Sequence, residues 1–245
     1  MKLLLTNDDG MDAEGLQELA RLLRVEHECW VVAPDQGRSC CSHSVTNAEP
    51  LKLRQHGERE WDLSGTPADC VRVAIHCLNF KPDYVLSGVN HGGNLGVDTL
   101  YSGTVSAARE ASMLGIPAVA LSQYMRRDIA KDWAQSAFRA RRVLEHLWLD
   151  PPVEGTFWNV NLPAIVPEEV VGTVHFPISF CDTEHSPLQF HFTPYETANP
   201  ELLGGNSVRT FLYQSNYQTR PRQDGSDVSL CFAGHATVTK LKSFG

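Results

Sequence analysis

The chain of 245 residues has no apolar run that approaches the ~20 residues of a membrane-spanning helix. It has no surplus of basic charge either: Lys and Arg number 21 against 29 Asp and Glu, a formal net charge of −8. A protein that binds a nucleic-acid polymer or an anionic membrane carries a basic footprint, so neither partner is expected. An anionic substrate must then be drawn by local N–H donors or by a metal. The seven cysteines, Cys29, Cys40, Cys41, Cys70, Cys77, Cys181 and Cys231, contain no C-x-x-C spacing, which argues against a zinc knuckle, and their odd number does not suit a disulfide scaffold. No G-x-G-x-x-G follows the first apolar run, which disfavours a nicotinamide enzyme. No D-x-D occurs, which disfavours a covalent aspartyl-phosphate route. There is no internal repeat and no low-complexity segment. The N-terminus enters a strand rather than a basic and apolar signal, so a cytoplasmic protein is expected.

What is present is an α/β pattern in one main domain, with 42% hydrophobic residues to fill its core. Residues 2–6, 29–33, 83–89 and 118–122 read as buried strands. Leu16, Leu19, Ala20, Leu22 and Leu23 recur at helical spacing, as do Val71, Ala74, Ile75 and Leu78. The second of these helices opens at Thr66-Pro67, a cap residue followed by proline. A third helix is expected over 103–114, stopped by Gly115-Ile116-Pro117, and a fourth over 127–149, stopped by Pro151-Pro152. Beyond residue 152 the period changes. Residues 157–162 form one more buried strand, and 170–175, 188–195, 207–214 and 236–241 alternate in period two with no helical pattern between them. The expected fold is a Rossmann-like three-layer α/β/α arrangement with a mainly parallel sheet and a C-terminal antiparallel β-hairpin extension. Residues 1–165 would form the core and 166–245 the hairpin and final strand. Leu188, Phe190, Phe192, Phe211, Leu212 and Tyr213 would need covering, by the same chain or by a second copy.

Three loops at strand ends hold the chemistry. Asn7-Asp8-Asp9-Gly10 follows the first strand, residues 34–44 the second and residues 87–96 the next parallel one. Paired carboxylates repel, so Asp8 and Asp9 need a shared cation, a proton or full solvation. Their alternative is ordinary work, one capping a helix and one facing water. Carboxylate, amide and hydroxyl oxygens suit a hard cation such as Mg²⁺ or Mn²⁺ and not zinc. Residues 88–103 contain five glycines and lead into Ser102-Gly103-Thr104 at a helix start, where N–H groups and the helix dipole favour phosphate. Ser102 can equally be a plain helix cap. His43, His91 and Arg38 lie in these loops and can meet phosphate or serve loop packing alone. Cys40 and Cys41 stand out in an otherwise small and polar loop, as buried hydrophobes or as a redox pair.

Together these stretches resemble the SurE family, whose members are metal-dependent nucleoside-monophosphate phosphatases. The resemblance rests on Thr6-Asn7-Asp8-Asp9-Gly10, on Val31-Val32-Ala33-Pro34-Asp35 through Arg38-Ser39, and on His43-Ser44-Val45-Thr46. It continues in Gly65-Thr66-Pro67-Ala68-Asp69-Cys70-Val71, Ser87-Gly88-Val89-Asn90 with Asn94-Leu95-Gly96, and Tyr101-Ser102-Gly103-Thr104-Val105. Weaker likeness follows in Asn159-Val160-Asn161-Leu162-Pro163 and in a strand region over 227–241. The resemblance implies that Asp8, Asp9, Ser39 and Asn90 hold one Mg²⁺ or Mn²⁺ per subunit, with Asp8, Asp9 and Asn90 catalytic. Asn94, Ser102, Gly103 and Thr104 become the phosphate contacts. It further implies hydrolysis of nucleoside 5′-monophosphates, with 3′ activity open, and a homodimer or homotetramer. The alternatives are an exopolyphosphatase at the same site and a nucleotide-binding regulator without turnover. The chain departs from the family in having Cys40-Cys41 where relatives often carry glycine or alanine, and Glu14 where they often carry proline.

Overall fold

The computed structural model describes residues 1–164, 176–195 and 209–244. Its main sheet begins with β1 (Lys2–Thr6), β2 (Glu28–Pro34), β3 (Leu53–Gly57), β4 (Glu60–Leu63) and β5 (Tyr84–His91). It continues with β6 (Ala118–Gln123), β7 (Thr156–Leu162), β8 (Ile178–Phe180) and β11 (Ala236–Lys242), in the spatial order β3-β4-β2-β1-β5-β6-β7-β11-β8. From β4 to β7 every pairing is parallel, whereas β3 and β11 run antiparallel to β4 and β7. A separate ribbon pairs β9 (Phe190–Pro194) with β10 (Phe211–Ser215) antiparallel.

β1 is apolar throughout because both of its faces are covered. Leu3 and Leu5 join the core under α1 (Glu14–Leu23) and α5 (Trp133–Leu147), while Leu4 joins the one under α2 (Pro67–His76) and α4 (Gly103–Met113). All three leucines are fully buried, which contributes about 1.5–3 kcal/mol each. The expected α/β/α layering and the parallel sheet are thus observed. α2 starts where its cap residue says: the Thr66 hydroxyl accepts the Asp69 N–H, and the Asp69 carboxylate accepts the Thr66 N–H.

Several expected elements differ. α5 begins at Trp133, after the cap Asp132, and not at residue 127; the Arg-rich stretch before it is a polar loop. The strand region expected from 227 contains a helix, α6 (Asp227–Phe232), capped by Ser226. Its six residues are too few to show a helical period. The β3–β4 hairpin was not expected, since β3 is exposed and shows no apolar alternation. A four-residue helix, α3 (Asp98–Tyr101), precedes α4. The strand expected over 170–175, and the first residues of that over 207–214, lie outside the described residues. Phe190, Phe192, Phe211, Leu212 and Tyr213 remain 46–58% exposed, so among the described residues the body of the chain does not cover them. Among the described residues no helix is long and apolar enough to cross a membrane.

Candidate active site

From β1 the chain winds to β2 and β4 on one side and to β5, β6 and β7 on the other. The crevice beyond the C-terminal end of β1 is therefore the topological switch point, where open α/β sheets bind ligands. The loops after β1, β2 and β5 all end there. Asn7 closes the first, donating through Nδ2 to the Gly10 carbonyl at 2.8 Å and accepting the Gly10 N–H at 3.2 Å. Gly10 sits at φ +106°, and a Cβ there would stand 3.3 Å from the Gln36 backbone. The turn thus presents Asp8 and Asp9 side by side while touching the next loop. The Arg38 N–H fastens that loop by donating to the Asp8 carbonyl at 2.7 Å.

The two carboxylates differ in surroundings. Asp8 is 6% exposed and accepts the Thr104 hydroxyl at 2.5 Å. Burial pushes its carboxyl up to about 6 against that hydrogen bond, and the Asp9 carboxylate adds to the push. Asp9 is half-buried and accepts the His91 N–H at 2.9 Å. Each carboxylate so retains an oxygen that these bonds do not use. Asn90 is half-buried and donates to the Gly92 carbonyl at 2.8 Å, which leaves its Oδ1 as an acceptor. A register shift between β5 and β6 over 87–90 delivers Asn90 to the strand end. Ser39 is exposed in the β2 loop. Among the described residues no three His, Cys, Asp or Glu side chains form a metal-binding group; the acidic part of this site is the Asp8–Asp9 pair, and its other candidate donors are amide and hydroxyl oxygens.

The start of α4 packs directly on the carboxylates. A Cβ on Gly103 would lie 2.8 Å from Asp8 Cβ, 3.0 Å from Asp8 Oδ2 and 2.7 Å from Cys41 Sγ. Glycine is demanded here by the protein's own contacts, in addition to any anion. Ser102 caps the helix by accepting the Val105 N–H at 3.1 Å. The Thr104 hydroxyl is fully buried and directed at Asp8. Asn94 is buried 28 residues from its partner in sequence, donating through Nδ2 to Ser122 Oγ at 2.8 Å. The expected residues on β1, β5 and α4 are thus gathered at one sheet edge.

Sequence reasoning missed the residues that hold these loops. Asn161 accepts the Asn94 N–H at 2.7 Å, and Asn161 and Asn159 both donate to the Asn94 carbonyl, at 3.1 and 3.0 Å. Asp227 accepts the Gly96 and Glu184 N–H groups at 2.9 and 2.8 Å. Arg220 forks onto Asp98 at 2.6 and 3.0 Å, and the Tyr217 hydroxyl donates to the same carboxylate at 3.1 Å. Glu110, 2% exposed, joins the His43 ring at 2.8 Å to Arg72 at 2.7 Å, so His43 ties the β2 loop to α4. Of these, the sequence points to His43, with loop packing as one of its two readings, and to the Asn-Val-Asn and 227 stretches as weak family likeness. A cavity of about 1390 Å³ opens from His91–Gly93 toward the hairpin, lined also by Arg127, Lys131 and Arg222.

Comparison with known proteins agrees with this architecture. The family model described as survival protein SurE matches residues 3–183. The protein called 5′-nucleotidase SurE in Neisseria gonorrhoeae is 39% identical, over 99% of this chain and 92% of its own length. That of Gemmatimonas aurantiaca is 48% identical over 70% of this chain and 69% of its own. The crystal structure of the SurE protein from Aquifex aeolicus superposes with a TM-score of 0.82 at 31% identity, covering 99% of this chain and 94% of the other. The chain is a member of the SurE family.

Proposed function

We propose that the chain is a metal-dependent 5′-nucleotidase that hydrolyses nucleoside monophosphates to nucleoside and phosphate. The observation that carries this reading is the shared wall between Asp8 and the start of α4, where Thr104 and Gly103 meet the carboxylate. A cation site and an anion site in such contact suit a phosphate ester held between them. The donor chemistry fits a hard divalent cation: two carboxylates, the Asn90 amide oxygen and the Ser39 hydroxyl. The raised Asp8 carboxyl supports the fit, because a cation relieves both its burial and its repulsion from Asp9.

In this reading Asp8, Asp9, Ser39 and Asn90 hold the cation. When bound, Mg²⁺ or Mn²⁺ supplies charge neutralisation at the phosphoryl oxygens and an acidified water. Thr104 holds Asp8 in place through its hydroxyl, and the His91 N–H does the same for Asp9. Ser102, Gly103 and Thr104 bring the positive end of α4 to the phosphate, and Asn94 supplies its remaining amide hydrogen. Phosphoryl transfer needs positioning and charge stabilisation more than covalent help, so this apparatus suffices. The names of the relatives, 5′-nucleotidase SurE, support the substrate class. The cationic lining of the adjoining cavity favours one second reading, a polyphosphate chain trimmed at the same site. Phosphate release from nucleoside 5′- and 3′-monophosphates and polyphosphate, with Mg²⁺, Mn²⁺ or chelator, tests both. Full turnover in metal-free buffer would sink the proposal.

A further inference from the structure

The adjacent cysteines of the β2 loop have no part in the chemistry above, yet they stand against it. Cys40 is exposed and Cys41 half-buried, both as free thiols. Cys40 has φ +57° and Ser42 φ +51°, left-handed backbone at two non-glycine residues flanking Cys41. Such conformations are strained and persist where the surroundings fix them. The fixings lie on either side of the pair. Arg38 N–H is bonded to the Asp8 carbonyl at 2.7 Å, and Ser42 N–H to the Tyr101 carbonyl at 3.0 Å. Between these anchors, Cys41 Sγ and Asp8 Oδ2 lie 2.7 and 3.0 Å from the same point, the place a Gly103 Cβ would occupy. The thiol is therefore part of the wall formed by the carboxylate and the start of α4.

We propose that Cys40 and Cys41 form a hydroperoxide-sensitive dithiol whose closure to a vicinal disulfide disables the adjacent site. The exposed Cys40 sulfur attacks a hydroperoxide oxygen as its thiol proton leaves. The O–O bond breaks, the leaving oxygen departs as water or alcohol, and Cys40 becomes a sulfenic acid. The Cys41 sulfur then attacks the Cys40 sulfur. The S–S bond forms, the S–O bond breaks, and the hydroxyl leaves with the Cys41 proton as water. Two thiols are oxidised and one hydroperoxide is reduced.

Neighbouring Cα atoms stand about 3.8 Å apart across a trans peptide, below the roughly 4.4–6.8 Å that disulfides span. No backbone movement lengthens that distance, so the ring forms strained, by turning the backbone and side-chain torsions of Cys40 and Cys41 between the Arg38 and Ser42 anchors. That movement draws Cys41 Sγ out of the wall beside Asp8 and shifts Ser39, the residue before the pair. Because such a bridge is strained it is readily reduced, which makes the change reversible.

The test exposes the full-length protein to hydrogen peroxide, then removes the peroxide. Peptide mass after thiol blocking shows the state of the pair, and electron paramagnetic resonance measures Mn²⁺ binding. The expected result is loss of two hydrogens from the peptide carrying both cysteines and roughly 10–100-fold weaker Mn²⁺ binding, both reversed by a thiol reductant. Cys40→Ser should bind Mn²⁺ like the parent before treatment and keep that affinity after it. A sulfinic adduct without ring closure, a closed ring with unchanged Mn²⁺ affinity, or a Cys40→Ser protein as sensitive as the parent would each overturn the proposal. The loss of function in the oxidised form rests on the nucleotidase reading, but mass and Mn²⁺ binding do not need turnover, so the two readings fail separately.

Discussion

β1 and the β9–β10 ribbon are both short apolar segments, and they meet opposite surroundings. In β1, helices on either side reduce Leu3, Leu4 and Leu5 to zero exposure. In the ribbon, Phe190, Phe192 and Tyr213 pack on one another with centroids 5.5–5.9 Å apart and stay about half exposed. The difference shows that an apolar pattern specifies a strand without specifying what covers it. At β1 the cover is intramolecular and close-packed, so the strand end can hold two carboxylates to fixed positions. The ribbon retains apolar surface of the kind that marks contact with a partner.

The comparison breaks first, and hardest, at the end of β1. Asp8→Asn should lower phosphatase turnover by roughly 10³-fold while the protein stays folded, read by phosphate release beside circular dichroism. The same variant should be more stable than the parent without metal. A carboxyl raised from 3.8 to about 6 makes the folded chain bind its proton more tightly than the unfolded one. Stability then falls as pH rises between those values, and the penalty is fully present at pH 7, up to about 3 kcal/mol. Calorimetry with chelator present checks the sign, and a lower Tm for Asp8→Asn would remove the argument.

Gly103→Val comes next. Its Cβ would land within 3 Å of Cys41 and Asp8, so the protein should lose about 1–3 kcal/mol in stability along with its turnover. A variant with parental Tm and rate would show that α4 does not form the site wall.

Glu110→Gln tests a support outside the crevice. Burial alone would raise the Glu110 carboxyl; hydrogen bonds from His43 and Arg72 outweigh it and hold the group below its usual 4.5. The stabilisation is present above that value and is lost as pH falls through the lowered one. Urea unfolding should place the variant about 1–3 kcal/mol below the parent at pH 7, with the gap narrowing in acid. A gap independent of pH would show that the charge is not what matters.

The smallest effect on catalysis belongs to the ribbon. Phe190→Glu with Phe192→Glu should leave turnover near the parental rate while converting a dimer to a monomer in light scattering. Charges are a better probe than a deletion that starts near residue 183, because buried Glu184 accepts the Gln223 and Ser186 N–H groups and packs on Gly96. A parent that is already monomeric would mean that this face is not the subunit contact.

What was legible in the sequence follows the same division. β1, β5, β6 and β7 could be read within two residues because burial on both faces leaves short segments dominated by apolar residues. The start of α2 could be read because its capping box is local, Thr66 to Asp69. The acidic turn and the α4 start were visible as residue types, but their contact across 96 residues was not. β3 was illegible because it is an exposed edge with nothing to bury. The buried polar network of Asn94, Ser122, Asn159 and Asn161 leaves no periodic trace, since each partner is a single residue on a different element.

The bond between the Gly96 N–H and Asp227 spans 131 residues of chain. On a ribosome, β1, β5 and α4 can assemble before residue 227 has emerged, because the helices that cover them, α1, α2 and α5, all precede it. The glycine loop acquires its Asp227 fastening only after residue 227 has emerged. A nascent chain released before that point would therefore carry the sheet from β3 to β7 and a complete Asp8–Asp9 turn with the neighbouring loop unlatched. Emergence of residue 227, rather than formation of the acidic turn, sets the moment at which the crevice is finished.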